Sequence, residues 1–258
     1  MPDSGLVARL RDRMPFLRWS FLRFAAGVRH VERTGQVGDG REIALRDHVL
    51  AHAMAGDPAS VLATIDGFAR NRSILMNVGD EKGTILDAAI GRAAPKLLLE
   101  LGAYCGYSAV RTGRLLPEGA RLVSVEANAA NAEIARAVIA HAGLSNRITV
   151  VVGMIGDGGQ TVRTLSEEHG FTAGALDFVF IDHMKTAYLS DLRTILATGW
   201  LHPDSVVVAD NVKVPGAPDY LRYMRENEGT TWRTVEHSTH LEYQSLLKDL
   251  VLESTYIG

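Results

Sequence analysis

The chain has 258 residues, of which 47% are hydrophobic and 22% are charged. This balance is typical of one globular domain with a sizeable core. The formal net charge of -3 provides no basic field for a phosphate backbone, so nucleic acid is not an expected partner. Because Cys105 is the only cysteine, an internal disulfide and a Cys/His zinc cluster are both excluded, and a reducing cytoplasm is the expected location.

The first element is an apolar segment at residues 6–28 that is interrupted by arginines. It is too charged for a membrane-spanning helix, and in a secretory signal the arginines would precede the apolar run. Arg18 and Arg29 lie well away from an apolar stripe at helical spacing, which predicts an amphipathic helix; the stripe consists of Leu17, Phe21, Phe24 and Val28. Three surfaces remain open for this helix: the body of the protein, a second copy of the chain, or a membrane surface.

Two helices are predicted between Arg41 and Arg72, separated by a turn at residues 55–58. Asp57 is placed to cap the second helix, because its carboxylate can accept hydrogen bonds from the first free N–H groups. Pro58 suits the first helical position, where no N–H group is needed.

Further along the chain, short apolar runs alternate with segments of helical periodicity. Continuous branched runs of this length are typical of strands buried on both faces. We therefore expect an α/β protein with a mostly parallel central sheet and helices on both faces. The runs lie at residues 96–102, 121–128, 148–153, 175–182 and 205–212, and two further strand candidates that can extend the sheet lie at residues 232–237 and 248–258.

A glycine-rich turn follows the first apolar run. Glu100 ends that run, Gly102 and Gly106 lie in the turn, and Glu126 ends the next run. Glycines let the backbone approach a ligand, and a carboxylate in the position of Glu126 can accept hydrogen bonds from both ribose hydroxyls. Because Glu100 would repel phosphate and attract a cation, the pattern favours S-adenosylmethionine over NAD. Taken alone, such a turn also occurs in parallel sheets that bind no nucleotide.

Oxygen-bearing side chains follow two consecutive apolar runs, Asp182 after the fourth and Asp210 with Asn211 after the fifth. Ligands bind beyond the carboxyl ends of parallel strands, so these side chains are expected to converge on the cofactor crevice. Two carboxylates and an amide, without His or Cys, favour magnesium. The alternative, in which each aspartate caps the helix that follows it, explains either one alone but explains the pair poorly.

Lys185 follows Asp182 by three residues and is expected to face the same metal. A phenol has a pKa of about 10 and a free lysine about 10.4, so neither is ready for proton transfer at neutral pH. A bound dication lowers the pKa of a coordinated hydroxyl and disfavours a neighbouring ammonium, so a neutral Lys185 can act as a general base. The alternative is a simple surface ion pair between the two residues.

These motifs resemble those of the catechol O-methyltransferase family, from about Val49 to the end of the chain. The resemblance implies a Rossmann-like class I methyltransferase fold and magnesium-dependent transfer of a methyl group from S-adenosylmethionine to a catechol, a small-molecule substrate. We therefore divide the chain into an N-terminal amphipathic helical extension, residues 1–45, and a catalytic domain, residues 46–258. The matching segments lie at residues 56–66, 76–83, 97–111, 180–189, 207–219 and 240–244.

The resemblance also implies roles for individual residues. Asp182, Asp210 and Asn211 would hold magnesium, Lys185 would be the general base, and Glu242 would accept a hydrogen bond from the hydroxyl that is not methylated. The implied cofactor contacts are Met76, Val78, Glu100, Gly102, Tyr104, Ser108, Glu126, Ala127, Ile155, Asp182 and His183. The implied substrate contacts are Ile74, Met184, Lys185, Asn211, Pro215 and Glu242.

Two substrate-wall positions depart from the family pattern. The family's two tryptophans around the catechol ring and the cofactor edge correspond here to Ile74 and Met184, and its polar pair near the adenine corresponds to Ile155 and Gly156. The catechol slot is therefore expected to be wider, and a larger vicinal diol, such as a caffeoyl ester, a flavonoid or a secondary metabolite, is the alternative substrate.

An alternative of another class is a cofactor-binding or membrane-associated module without catalysis. The complete set of reactive residues argues against this alternative.

Overall fold

A computed structural model of the chain describes residues 27, 30, 31, 33–243 and 246–258. The apolar stripe and the arginines that predict the N-terminal amphipathic helix lie outside these residues, so that helix and its docking surface stay predictions. Across the described part of the chain, no helix combines the length and apolarity that crossing a membrane requires.

Helix α1 spans Arg41–His52 and helix α2 spans Pro58–Asn71, with the predicted turn between them. The Asp57 carboxylate accepts hydrogen bonds from the N–H groups of Ala59 and Ser60 at 2.9 and 3.2 Å, and Pro58 is the first helical residue. The predicted cap is therefore confirmed. The proposed boundary at residues 45 and 46 falls inside α1, and this division of the chain stays a prediction.

Seven strands form one sheet in the order β3-β2-β1-β4-β5-β7-β6. The first five strands are parallel, β7 is antiparallel to β5, and β6 is antiparallel to β7. The predicted α/β architecture, with two tail strands extending the sheet, is confirmed. The strands are β1 (Leu97–Leu101), β2 (Arg121–Glu126), β3 (Ile148–Val152), β4 (Leu176–Ile181), β5 (Leu201–Ala209), β6 (Trp232–His240) and β7 (Lys248–Tyr256).

Helices cover both faces of the sheet, and the sheet separates the hydrophobic core into two halves. Alternate residues of β1 enter opposite halves: Leu98 packs with α1, α2 and their neighbours, whereas Leu97 and Leu99 pack on the other face. Burial on both faces is the reason these strands read as unbroken apolar runs. Further helices of the described residues are α3 (Gly79–Ala93), α4 (Tyr107–Gly113), α5 (Ala129–His141), α6 (Gln160–His169), α7 (Tyr188–Ala197) and α8 (Pro218–Glu226), with short helical turns at Lys185–Ala187 and Val212–Gly216.

The order in which strands are added to the sheet reverses between β1 and β4. From β1 the order runs outward through β2 and β3, and then returns to β4 and β5 on the other side. Such a switch point opens a crevice at the carboxyl ends of the strands. The ends of β1, β4 and β5 therefore lie side by side, and the loops that follow them form the candidate site.

Candidate active site

The ends of β1 and β4 approach each other so closely that only glycine fits after β1. Gly102 has a φ of 100°, and a Cβ placed on it would lie 2.5 Å from the carbonyl oxygen of Asp182. A side chain here would push the two strand ends apart. The glycine predicted for close backbone approach therefore sets the distance between the cofactor turn and the Asp182 loop.

Asp210 lies at the end of β5 and is fully buried. Its Oδ1 is 2.7 Å from the Nζ of Lys82, while its Oδ2 has no hydrogen-bond partner among the described residues. Burial raises the pKa of Asp210, an effect that the Lys82 ammonium opposes and the nearby Asp182 charge reinforces. An orphaned buried carboxylate oxygen beside a second carboxylate fits a divalent cation, which prefers such hard oxygen ligands.

Lys82 is a site residue that the sequence motifs did not identify. It is almost fully buried in α3, and its Nζ contacts Asp210, Glu242 and, at 3.1 Å, Asp249. Burial alone would lower the pKa of Lys82, but the three carboxylates raise it above its ordinary value. A signal was present, because Lys82 occupies the buried stripe that continues in α3 at Leu86, Ala89 and Ile90.

Asp210, Glu242 and Asp249 have oxygens within 4.8 Å of one another and form a second arrangement that can hold a metal. The Lys82 ammonium already supplies a positive charge to these three carboxylates. The Nδ2 of Asn211 also donates to Glu242 at 2.9 Å and to Asp249 at 2.8 Å, which turns its Oδ1 away from this cluster. The lysine and the amide together satisfy the cluster, whereas the Oδ2 of Asp210 stays without a partner among the described residues.

Lys185 is joined to both strand ends. Its Nζ donates to Asp182 Oδ1 at 2.8 Å and to the hydroxyl of Tyr188 at 2.6 Å. The Tyr188 hydroxyl, which is fully buried, donates in turn to the backbone carbonyl of Asp210 at 3.0 Å. Tyr188 was missed in the sequence because an aromatic residue at the start of an amphipathic helix reads as core. The structure thus brings Asp182, Lys185 and Asp210 into one network.

Glu100 lies buried on the cofactor side of the crevice. Its Oε2 accepts a hydrogen bond from Ser124, and its Oε1 has no partner among the described residues. Burial raises the pKa of Glu100 to about 7, although hydrogen bonds from Ser108 and Ser124 oppose the rise. A buried carboxylate with a free oxygen fits a cationic ligand group, as the sequence predicted for a cofactor without phosphate.

Glu126 ends β2 on the same side of the crevice. Its two oxygens accept hydrogen bonds from the backbone N–H groups of Tyr104, at 2.8 Å, and Asn128, at 2.9 Å. Burial raises the pKa of Glu126, and these hydrogen bonds counteract the rise. The carboxylate is held at the tip of the strand, where a ribose diol would reach it.

His183 follows Asp182 and stacks on Tyr188, with 5.2 Å between the ring centroids. Its Nε2 lies 2.9 Å from Asp191, and its buried Nδ1 has no partner among the described residues. An imidazole with one nitrogen fixed and the other unused can offer a hydrogen bond to a ligand. This position agrees with the predicted adenine contact, which stays a prediction.

The other predicted residues differ in exposure. Val78, Ser108 and Ile155 are buried, and Ile74 and Met76 are half-buried. Ala127, Met184 and Pro215 are exposed, with Met184 at 56%, so they can contact a ligand only at the rim of the site. A cavity of about 250 Å³ opens beside Glu242, and Val78 and Lys82 also line it.

Replacing Glu100 by glutamine is expected to remove part of the pH dependence of stability. The folded pKa of Glu100, about 7, exceeds its ordinary value of 4.5, so protonated Glu100 stabilises the fold at low pH and this contribution is lost as pH rises from 4.5 to 7. The free energy of unfolding of the unaltered chain should fall by roughly 3 kcal/mol more than that of the variant across this range. Urea unfolding without cofactor at a series of pH values measures this, and parallel curves would contradict the assignment.

The strand order is that of the Rossmann-like class I methyltransferase fold. A family model described as O-methyltransferase matches residues 58–217, and the chain belongs to this O-methyltransferase family of enzymes. A probable O-methyltransferase of Mycobacterium tuberculosis is 62% identical over 234 residues, which cover 91% of this chain and 100% of that protein.

Two further similarities concern the reaction and the fold. Catechol O-methyltransferase B of Danio rerio is 43% identical over 210 residues, which cover 81% of this chain and 76% of that protein. The crystal structure of an O-methyltransferase from Bacillus cereus in complex with SAH has a TM-score of 0.61 at 21% identity, covering 77% of this chain and 90% of that chain. At this identity the solved structure shows the shared fold alone.

Proposed function

We propose that this protein transfers the methyl group of S-adenosylmethionine to one hydroxyl of a catechol in a magnesium-dependent reaction. The observation that carries the proposal is the network of Lys185 and Asp182 beside the orphaned Oδ2 of buried Asp210. The similarity to catechol O-methyltransferases and the SAH-bound relative support the substrate and the cofactor. Membership of an enzyme family speaks against the alternative of a module without catalysis.

Asp182, Asp210 and Asn211 would hold the magnesium ion. When bound, the ion lowers the pKa of a coordinated phenol hydroxyl and fixes the orientation of the diol. Lys185 accepts the hydroxyl proton at its Nζ, which the hydrogen bonds to Asp182 and Tyr188 hold at the ends of the strands. Tyr188 positions that Nζ through its 2.6 Å hydrogen bond.

Glu242 and Glu100 serve the two reactants separately. Glu242 accepts a hydrogen bond from the second hydroxyl of the diol, and Lys82 and Asn211 fix its carboxylate for this role. Glu100 faces the positive charge of the methyl donor, and Glu126 accepts hydrogen bonds from the ribose. The methyl group then moves in line from sulfur to oxygen, leaving S-adenosylhomocysteine; alignment of this kind contributes up to about 7 to 11 kcal/mol in favourable cases.

Replacing Lys185 by methionine is expected to lower kcat by about a hundredfold to ten-thousandfold, the usual range for loss of a general base. Lys96→Met is the matched control, because Lys96 is exposed and lies at the opposite end of the sheet. The assay measures methyl transfer to a panel of catechols with magnesium and with chelator. Full activity in chelator, or equal activity of the two variants, would contradict the proposed chemistry.

A larger vicinal diol is a second candidate substrate, favoured by one observation. Met184, where the family has a tryptophan, is exposed, and Ile74 at the other wall is half-buried and aliphatic. A bulky substituent would therefore meet no aromatic wall at this rim. Specificity constants for a small catechol and for a caffeoyl ester separate the two candidates, and a strong preference for the small catechol would remove this one.

A further inference from the structure

Residues 34–42, which we call the strap, lie against the start of α5, directly after Glu126. The carbonyl of Thr34 accepts a hydrogen bond from Asn128 Nδ2 at 2.5 Å, and the carbonyl of Gly35 accepts one from Asn131 Nδ2 at 2.9 Å. Gln36 Nε2 donates to Asn131 Oδ1 at 2.8 Å. Asn128, which caps α5, and Asn131, in its first turn, therefore bind three consecutive strap residues.

A second anchor ties the strap to the glycine-rich turn. The buried Glu42 accepts two hydrogen bonds at the same oxygen, from the N–H of Val37 and from the hydroxyl of Tyr104, both at 3.0 Å. The N–H of Tyr104 donates to Glu126. One carboxylate therefore connects the strap to a residue that holds Glu126 in place.

The strap also comes close to the Glu126 carboxylate. A Cβ placed on Gly35 would lie 3.9 Å from Glu126 Oε1. The buried side chain of Asn131, which hydrogen-bonds the strap, also lowers the pKa of Glu126 against the effect of burial. The group that we assign to the cofactor ribose thus lies beside the strap, and Asn131 interacts with both.

A third contact reaches the other end of the crevice. Arg41 is buried in the strap and donates to the carbonyl of Ile74 at 2.5 Å, while Asp39 pairs with its guanidinium at 2.8 Å. Ile74 begins the segment that continues through Met76 to Val78, near the predicted methyl-transfer position. The strap therefore spans the site from its ribose end to its reacting end.

We propose that the strap is part of the cofactor site, with Gln36, Glu42 and Asn131 as positioning residues that hold Tyr104 and Glu126 ready for the ribose. The inference rests on the proposed function, because it requires S-adenosylmethionine at Glu126. A carboxylate fixed before binding saves the entropy of ordering it during binding, so loss of the strap contacts weakens cofactor affinity. The sequence motifs assigned no cofactor role to these three residues.

The test measures binding of S-adenosylhomocysteine to the full chain by titration calorimetry. Gln36→Ala is expected to raise the Kd about three- to tenfold, and Glu42→Leu at least about tenfold, from the hydrogen bonds lost. Glu42→Gln keeps an acceptor oxygen and should restore most of the affinity. Arg46→Ala is the matched control, because Arg46 lies on α1 and pairs only with its neighbour Asp47 among the described residues.

Hydrogen exchange adds a readout that a purely structural role would not produce. Amides of residues 35–42 should exchange more slowly when S-adenosylhomocysteine is added to the unaltered chain, since the ribose bound at Glu126 stabilises the strap beside it. Unchanged Kd values in both Gln36→Ala and Glu42→Leu, or unchanged exchange of the strap, would overturn the inference and leave the proposed function standing. Failure of the unaltered chain to bind S-adenosylhomocysteine would overturn the proposed function itself.

Discussion

Asp182→Asn is expected to weaken magnesium binding by at least about a hundredfold, more than the loss of an outer-sphere partner usually costs. Methyl transfer should fall by about a thousandfold, which corresponds to roughly 4 kcal/mol of charge stabilisation supplied through the metal site. The variant keeps the shape of the side chain and removes its charge. Calorimetric titration with Mg²⁺, or Mn²⁺ binding followed by electron paramagnetic resonance, measures the affinity directly.

Asp249→Asn is the comparison that separates the two possible metal positions. Asp249 belongs to the cluster with Asp210 and Glu242, where Lys82 already supplies the positive charge. We expect this variant to retain magnesium binding within about tenfold, a smaller loss than that of a direct ligand. The opposite pattern, with binding lost in Asp249→Asn and kept in Asp182→Asn, would place the metal in the three-carboxylate cluster.

Lys82→Met is expected to destabilise the protein by about 3 to 5 kcal/mol, the usual cost of removing one partner from a buried ion pair. The substitution leaves Asp210, Asp249 and the largely buried Glu242 without their cation. Urea unfolding followed by circular dichroism measures the loss. Lys82→Arg keeps the charge and should be less damaging, although its larger head must fit a closed site.

A double variant tests whether Lys82 and Asp249 stabilise the protein through their ion pair. Lys82→Met combined with Asp249→Asn removes the cation together with one of its three negative partners. Because neighbouring charges couple, the double variant should be less destabilised than the sum of the two single variants. Additive losses would show that Lys82 and Asp249 are not coupled, and a Lys82→Met effect below about 1 kcal/mol would show that the cluster contributes little to stability.

Local patterns in the sequence were sufficient for most of the architecture. Asp57 and Pro58 marked the start of α2 because a cap and a first-turn proline depend only on neighbouring residues. The five parallel strands were visible as apolar runs because burial on both faces imposes one composition along the strand. The position of Asp182, Asp210 and Asn211 at one edge of the sheet was predictable in the same way, since parallel strands deliver their carboxyl ends to one edge.

Contacts between distant parts of the chain were not visible in this way. Lys82 meets Glu242 and Asp249 across 160 and 167 residues, and Gln36 meets Asn131 across 95. In the amino-acid sequence a buried lysine cannot be distinguished from a surface lysine until the carboxylates that pair with it are known. The resemblance named Glu242 as a substrate contact, and only the structure showed which residues hold its carboxylate in position.

The sequence by itself determined the fold class and the position of the side-chain oxygens of Asp182, Asp210 and Asn211 at the strand ends, because strand burial and helix capping are local and parallel topology brings strand ends together. Only the tertiary structure showed which of those oxygens pairs with a cation of the protein and which has no partner among the described residues. Lys82 supplies the cation on one side of Asp210, and the orphaned Oδ2 remains available on the other. This division depends on three-dimensional charge balance in a buried space, which residue spacing along the chain does not encode.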